Sequence, residues 1–297
     1  MKQLLEEIVT KGKIYKDELM SRHTSFKIGG MAEFFVEPAD EEELASVIKL
    51  CKEKEVLFYI IGNGSNLLVS DDGLRGVVIK IGDGFDDVSI ENEKITAGSG
   101  VLLSKIASVA ASNELAGFEF AAGIPGSLGG AVAMNAGAYG GEMKDVVVSV
   151  RVMDYDGNIF DIPGEDMDFG YRHSKISEGN LIILSAVIEL KKGIEENIRA
   201  VMKDLAQRRR DKQPLEYPSA GSTFKRPEGY FAGKLIMDAG LSGYRRGGAK
   251  VSEKHCGFIV NNGDATCSDV TELIKEVQDI VYEKFGVVLE TEVKILG

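Results

Sequence analysis

The sequence contains no tryptophan, and only three cysteines, three histidines and six prolines in 297 residues. Cys51, Cys256 and Cys267 fit no metal-ligand spacing and cannot pair completely, which excludes a disulfide framework or a zinc site and leaves burial as their role. His23, His173 and His255 are scattered and read as structural or surface residues, so no metal is expected. Aromatics, at 7%, are too sparse to build a stacking platform for single-stranded nucleic acid. Positive charge is also short: 35 Lys and Arg stand against 47 Asp and Glu, a formal net charge of -12. A nucleic-acid partner is therefore not expected. No apolar run reaches the length of a membrane span, and the opening MKQLLEEIVTKGKIYKDELM lacks the apolar core and cleavage site of a secretory signal. The expectation is a cytoplasmic protein with no membrane partner and no obligate protein partner. Neither a G-x-G-x-x-G nor a G-x-x-x-x-G-K-[ST] loop occurs, so any dinucleotide must be held by another architecture.

What is present reads as α+β. Residues 41–55 place Leu44, Val47, Ile48 and Cys51 on one helix face, and Asp40 followed by Glu43 supplies a capping-box start. An apolar run at 56–61, the loop GNGSN at 62–66 and a second apolar run at 67–69 follow. A helix is predicted at 102–115, buried through Leu103, Ile106, Ala107 and Ala110, and strands at 146–153, 158–162 and 181–190 with connections short enough for antiparallel pairing. A further helix at 197–212 is expected to bury Ile198, Val201, Met202 and Leu205. The last helix, at 269–285, should bury Val270, Leu273, Ile274, Val277 and Val281 and stop at Gly286, with a closing strand at 287–296. Between Lys203 and Lys254 lie 12 Lys or Arg against six Asp or Glu, so this part of an acidic chain is built to meet an anion.

Five segments could carry chemistry. GNGSN can turn its backbone N–H groups on a phosphate as a nest, or serve as a tight hairpin turn. GIPGSLGGAVAMNAGAYGG, residues 123–141, removes side chains over a long surface, which suits a broad flat ligand or a close packing seam. The two together favour a dinucleotide. FGYRHS, residues 169–174, sets Arg172 beside aromatics, and a guanidinium can grip a carboxylate bidentately. AGSTFKRP, residues 220–227, puts Ser222 after a glycine in the basic region, where a positioned hydroxyl can donate a proton. LETEVKILG, residues 289–297, alternates so that Glu290, Glu292 and Lys294 oppose Val293 and Ile295.

In order, spacing and length, these segments resemble the UDP-N-acetylenolpyruvoylglucosamine reductase family. The likeness is carried by HTSFKIGG with the following AEFFVEP, IGNGSNLLV, GFEFAAGIPGSLGGAVAMNAGAYGGE, FGYRHS, RRRDKQP, AGSTFKRP, DAGLSGYRRGGAKVSEKHCGFIVN and LETEVKILG. The short connection after Arg172 is similar to the family's second type, which lacks an inserted loop bearing a substrate-binding tyrosine. The resemblance implies a two-lobed FAD-binding domain of the vanillyl-alcohol-oxidase (PCMH) type plus a C-terminal α+β substrate-binding domain. The expected lobes are 1–76, 77–200 and 201–297, with the last strand returning to the FAD-binding region. It implies non-covalent FAD, NADPH as hydride donor and UDP-N-acetylglucosamine enolpyruvate as substrate. FAD would lie on Gly62, Asn63, Gly64, Ser65 and Asn66, and along Gly123, Ile124, Pro125, Gly126, Ser127, Gly129, Gly130, Ala131, Asn135, Gly137 and Ala138. Arg172, Ser222 and Glu292 would be catalytic. Tyr171, Lys212, Lys225 and Arg226 would contact the substrate.

Overall fold

The computed structural model describes residues 1–297, the side chain of Glu178 excepted. Contacts within the chain define two units that interleave along the sequence: Met1–Lys16, Phe34–Asn63 and Gly76–Arg209 form the first, and Asp17–Glu33, Gly64–Arg75 and Arg210–Gly297 the second. The division of ligand-binding lobes at 1–76, 77–200 and 201–297 stands beside this as a proposal.

In the first unit, the apolar strands build an antiparallel five-stranded sheet in the order Ile159–Pro163, Val147–Asp154, Leu181–Glu189, Lys94–Gly98, Val88–Glu91. The expected meander is thus observed, and each strand begins and ends within a residue of its predicted bounds at 146–153, 158–162 and 181–190. The helices Leu103–Ser112 and Leu128–Ala133 bury Leu103, Ile106, Ala110, Leu128 and Val132 in one core with Val150, Val152 and Ile188. A four-stranded sheet takes the order Lys13–Leu19, Met31–Glu37, Leu74–Lys80, Phe58–Ile61, and its last pair is parallel. The helix Glu41–Glu53 buries Leu44, Val47, Ile48 and Cys51, as its periodicity requires.

The start of that helix departs from the expected capping box. Asp40 accepts from the Glu43 N–H at 2.9 Å, but the Glu43 carboxylate does not turn back to Asp40. It accepts instead from the N–H groups of Thr10 (2.8 Å), Lys11 (2.7 Å), Gly12 (3.0 Å) and Ala39 (2.9 Å). Glu43 is only 5% exposed. Burial works against its charge, yet the four N–H groups outweigh it and hold the pKa below the ordinary 4.5.

The helix Glu195–Lys212 buries only Ile198, and Val201 is exposed, where burial of Val201, Met202 and Leu205 had been expected. Its polar remainder explains the difference: with charges on most faces, little of this helix can leave water.

In the second unit, the helix Cys267–Phe285 packs on a three-stranded antiparallel sheet, Arg245–Arg246, Ala249–Val251, Ile259–Asn261, over a core that takes in Phe26, Ile28, Leu68, Ile236 and Leu289. The helix buries the five predicted residues and ends on Gly286 at φ +66°, the left-handed cap glycine adopts without strain. Its first N–H groups are all taken: Cys267 and Ser268 donate to the two Asp71 oxygens at 2.7 and 3.0 Å, and Asp269 donates to Thr266 Oγ1 at 3.0 Å. The closing strand is shorter than predicted. Only Lys294–Leu296 is strand, paired in parallel with Leu67–Val69, and Ile295 is exposed rather than facing the core with Val293.

Candidate functional site

The loop at residues 62–66 is not a hairpin turn, because the strands on either side join different partners: Phe58–Ile61 pairs with Leu74–Lys80, and Leu67–Val69 with Lys294–Leu296. Gly62 and Asn63 belong to the first unit, and Gly64, Ser65 and Asn66 to the second. The first half lies on the glycine-rich segment. Asn63 Nδ2 donates to the Pro125 carbonyl at 2.7 Å, and a Cβ on Gly62 would meet the Ser127 hydroxyl at 2.7 Å. Gly64 has φ +65° and so little room that a Cβ would fall 1.9 Å from the His23 carbonyl oxygen. Ser65 and Asn66 have their carbonyls engaged, by the Ser25 hydroxyl at 3.3 Å and the Lys294 N–H at 2.9 Å.

The glycine-rich segment serves both roles that its composition allows. Gly129 and Gly137 are seam residues: a Cβ there would come within 2.8 Å of Ser99 Cβ or 2.6 Å of the Gly141 oxygen. Gly130 faces open space, and Gly123, Pro125 and Gly130 are exposed. Ile124 and Ala138 are half-buried, whereas Gly126, Ser127, Ala131 and Asn135 are buried. The buried hydroxyls of Ser99 and Ser127 have no hydrogen-bond partner among the described residues. An orphaned buried hydroxyl costs free energy unless a ligand atom satisfies it. Sequence reading missed Arg209, whose guanidinium lies against Gly123, with Nη1 3.3 Å from where a Cβ would be. Burial pushes its pKa down, and it reaches this position as the middle of the RRR run at the end of a helix.

Arg172 sits in a tight turn of the first unit in which Gly170 N–H donates to the His173 carbonyl at 3.0 Å and His173 N–H to the Gly170 carbonyl at 3.3 Å. Arg172 takes φ +55°, and its guanidinium carbon lies 5.1 Å from the centre of the exposed Tyr171 ring. Lys144 first, then Asn135 and the Arg172 charge, hold the Glu142 carboxylate below the usual range.

Ser222 and Glu292 belong to the second unit, and the backbone brings their segments side by side. Thr223 N–H donates to the Gly257 carbonyl and Glu292 N–H to the Thr223 carbonyl, both at 2.8 Å, while Lys225 N–H donates to the Glu290 carbonyl at 2.8 Å. Asn66 Nδ2 donates to the Glu292 carbonyl at 3.1 Å. The proposed proton donor, the glutamate and the second half of the GNGSN loop are thus neighbours. Ser222 follows Gly221, whose φ of +78° turns the chain.

Lys212 is exposed at the end of its helix. Lys225 pairs with Glu290 at 3.0 Å, and Arg226 lies over the Phe231 ring at 4.0 Å. Cys51, Cys256 and Cys267 are free and buried, and burial pushes the thiols of Cys51 and Cys267 up to about 11. His23 bonds Glu18 at 3.0 Å, His173 bonds Asp168 at 3.3 Å, and His255 packs on Phe258 with its pKa pushed down by burial. Among the described residues no group of His, Cys, Asp or Glu could hold a metal ion, and no helix is long and apolar enough to cross a membrane. A cavity of about 520 Å³ in the first unit, lined by Asp40, Glu41, Phe85 and Ser185, contains none of the candidate residues.

Residues 213–296 match the family described as UDP-N-acetylenolpyruvoylglucosamine reductase, C-terminal domain, and residues 32–163 the family described as FAD binding domain. The UDP-N-acetylenolpyruvoylglucosamine reductase of Clostridioides difficile (strain 630) is 56% identical over 99% of this chain and 96% of its own. That of Caldanaerobacter subterraneus subsp. tengcongensis is 55% identical over 99% of this chain and 97% of its own. The solved structure of UDP-N-acetylenolpyruvylglucosamine reductase from Thermus caldophilus superposes with a TM-score of 0.83 at 35% identity, covering 97% of this chain and 99% of that one. The glucose dehydrogenase Phl p 4.0202 shares the fold of part of the chain, with a TM-score of 0.51 at 15% identity over 64% of this chain and 44% of its own.

Proposed function

This chain belongs to the UDP-N-acetylenolpyruvoylglucosamine reductase family, and from that premise we propose which of its residues carry the reaction. It is a FAD-dependent oxidoreductase with a PCMH-type FAD-binding domain and a C-terminal domain of this family. It reduces UDP-N-acetylglucosamine enolpyruvate with NADPH in peptidoglycan precursor synthesis. Bound FAD would supply the redox chemistry that links NADPH oxidation to reduction of the enolpyruvyl double bond.

The residues present suit FAD. Orphaned hydroxyls on Ser99 and Ser127, the side-chain-free stretch at Gly123 and Gly130, and Gly62 and Asn63 packed on the same segment offer donors beside a flat open surface. Asn63, Gly64 and Ser65 complete the nest proposed for the pyrophosphate.

Arg172 grips the substrate carboxylate, and its fixed positive charge stabilises the negative charge that develops on that group as hydride arrives. Ser222 gives its proton to the carbon next to the ether oxygen, which is basic enough at that moment to take it from a hydroxyl. Glu292, whose N–H is bonded to the carbonyl of the residue after Ser222, donates a hydrogen bond to the developing enolate when protonated. Tyr171, Lys212, Lys225 and Arg226 contact the sugar nucleotide. The enzyme acts in the cytoplasm without a nucleic-acid or membrane partner, a reading supported by its net charge of -12.

The observation that carries the assignment is the 2.8 Å bond from Glu292 N–H to the Thr223 carbonyl, which sets two residues distant in sequence beside each other. Replacing Ser222 by Ala should leave NADPH-driven bleaching of the bound flavin at the wild-type rate and slow its reoxidation by the enolpyruvate at least ~100-fold, the range typical of a lost proton donor. Reoxidation at the wild-type rate would remove Ser222 from the mechanism.

A further inference from the structure

Asn135 was expected among the cofactor contacts, yet the structure gives its side chain three partners of its own. It is 1% exposed. Its Nδ2 donates to Glu142 Oε2 and to the Gly170 carbonyl, both at 2.9 Å, and its Oδ1 accepts from the Lys144 N–H at 2.9 Å. An amide offers two donor hydrogens and one acceptor oxygen, so both hydrogens are committed and the oxygen is already engaged.

Gly170 opens the turn that presents Arg172. Arg172 has φ +55°, a left-handed conformation that a residue with a side chain keeps only where its surroundings hold it. Two clamps do so from the glycine-rich segment. Asn135 holds the near end of the turn through the Gly170 carbonyl. Ser174, fully buried, holds the far end by donating to the Ala133 carbonyl at 2.7 Å. The second donor of Asn135 fixes Glu142, a carboxylate whose charged form the Arg172 charge also favours, though less than Lys144 does. One buried amide therefore ties the carbonyl at the start of the Arg172 turn to the Glu142 carboxylate.

We propose that Asn135 is a positioning residue for Arg172: its amide locks the 170–173 turn and Glu142 together so that the guanidinium is held ready for the substrate carboxylate. The proposal rests on the assignment of Arg172 as the carboxylate grip. It makes Asn135 part of the substrate half of the reaction, reached through the segment that also meets the cofactor.

The test is a double-mutant cycle on the FAD-loaded enzyme with Asn135→Ala, Arg172→Ala and the double variant. Four quantities are measured: FAD dissociation constant, thermal midpoint, flavin bleaching by NADPH, and reoxidation against enolpyruvate concentration. Asn135→Ala is expected to bind FAD within about twofold of wild type and to bleach normally, while reoxidation per unit substrate falls roughly 10- to 100-fold. In the Arg172→Ala background the same change should cost less than about twofold, because the residue it acts through is gone. If the two penalties multiply, Asn135 acts independently of Arg172 and the proposal is wrong. A tenfold rise in FAD dissociation constant with reoxidation unchanged would return Asn135 to the cofactor contacts. If Arg172→Ala itself reoxidises at the wild-type rate, the reading of Arg172 fails, an outcome distinct from the other two. Should Asn135→Ala not fold, Asn135→Asp keeps the Lys144 contact, loses the donor to Gly170 and enters the same cycle.

Discussion

Replacing Glu43 by Gln tests whether one buried carboxylate organises the N-terminal part of the first unit. The two oxygens accept four backbone N–H groups, Thr10 and Lys11 on one and Gly12 and Ala39 on the other. A glutamine carbonyl can still accept one pair, but its NH2 would confront the other pair donor to donor. Hydrogen bonds to a charged group are each worth ~1.5–3 kcal/mol, so losing two costs about 3–6 kcal/mol. Removing a negative charge from the first turn of the helix Glu41–Glu53 adds roughly 0.5 kcal/mol. The total, about 5 kcal/mol, is a large share of the ~5–15 kcal/mol that stabilises a typical domain. Urea unfolding at pH 7, followed by far-ultraviolet circular dichroism, should show a lower midpoint at unchanged m-value. The pH dependence gives a second reading. A carboxylate whose folded pKa lies below the ordinary 4.5 contributes stability that is complete above that value and is lost as pH falls through the folded pKa. The gap between wild type and variant should therefore be constant above about pH 5 and close in more acid solution. A difference under ~1 kcal/mol at pH 7, or a gap that persists unchanged into acid, would refute the reasoning.

Two further outcomes follow from the loops. Gly64→Ala must combine φ +65° with a Cβ 1.9 Å from the His23 oxygen, so a loss of about 3 kcal/mol or more is expected, seen as a lower thermal midpoint and a lower ratio of bound flavin to protein. Ser127→Ala removes a buried hydroxyl that has no partner among the described residues; the apoprotein should be as stable as wild type or slightly more so, while FAD binding weakens roughly fivefold, about 1 kcal/mol. A destabilised apoprotein with unchanged FAD affinity would show that the hydroxyl serves the fold instead.

The fold was legible wherever periodicity and local chemistry suffice. Leu44, Val47, Ile48 and Cys51 line one face of a helix, and Gly286 terminates another, because spacing and cap geometry are written within a few residues. Glu43 was misread as half of a capping box because three of its four partners, Thr10, Lys11 and Gly12, come from a distant stretch that local patterning does not reveal. The chain's last segment was overcalled as a long strand: 290 and 292 pair with residues beside Ser222, and only Lys294–Leu296 joins a strand. The candidate site was readable as segments. Its internal order was not, since nothing in AGAYGGEMK announces that Asn135 would spend its amide on Glu142 and Gly170.

The interleaving of the two units also bears on how the protein is made. Phe26, Ile28 and Leu68 are built into a core whose other members, from Ala220 to Val293, lie far downstream. At about 5–20 residues per second, roughly 10–45 s separate the synthesis of Leu68 from that of Val293. Until that interval ends these three side chains, each at most 3% exposed in the finished protein, have at best part of their core to enter. The second unit can therefore close only late in translation, and a nascent chain arrested near residue 209 would carry an unfinished apolar surface into the cell.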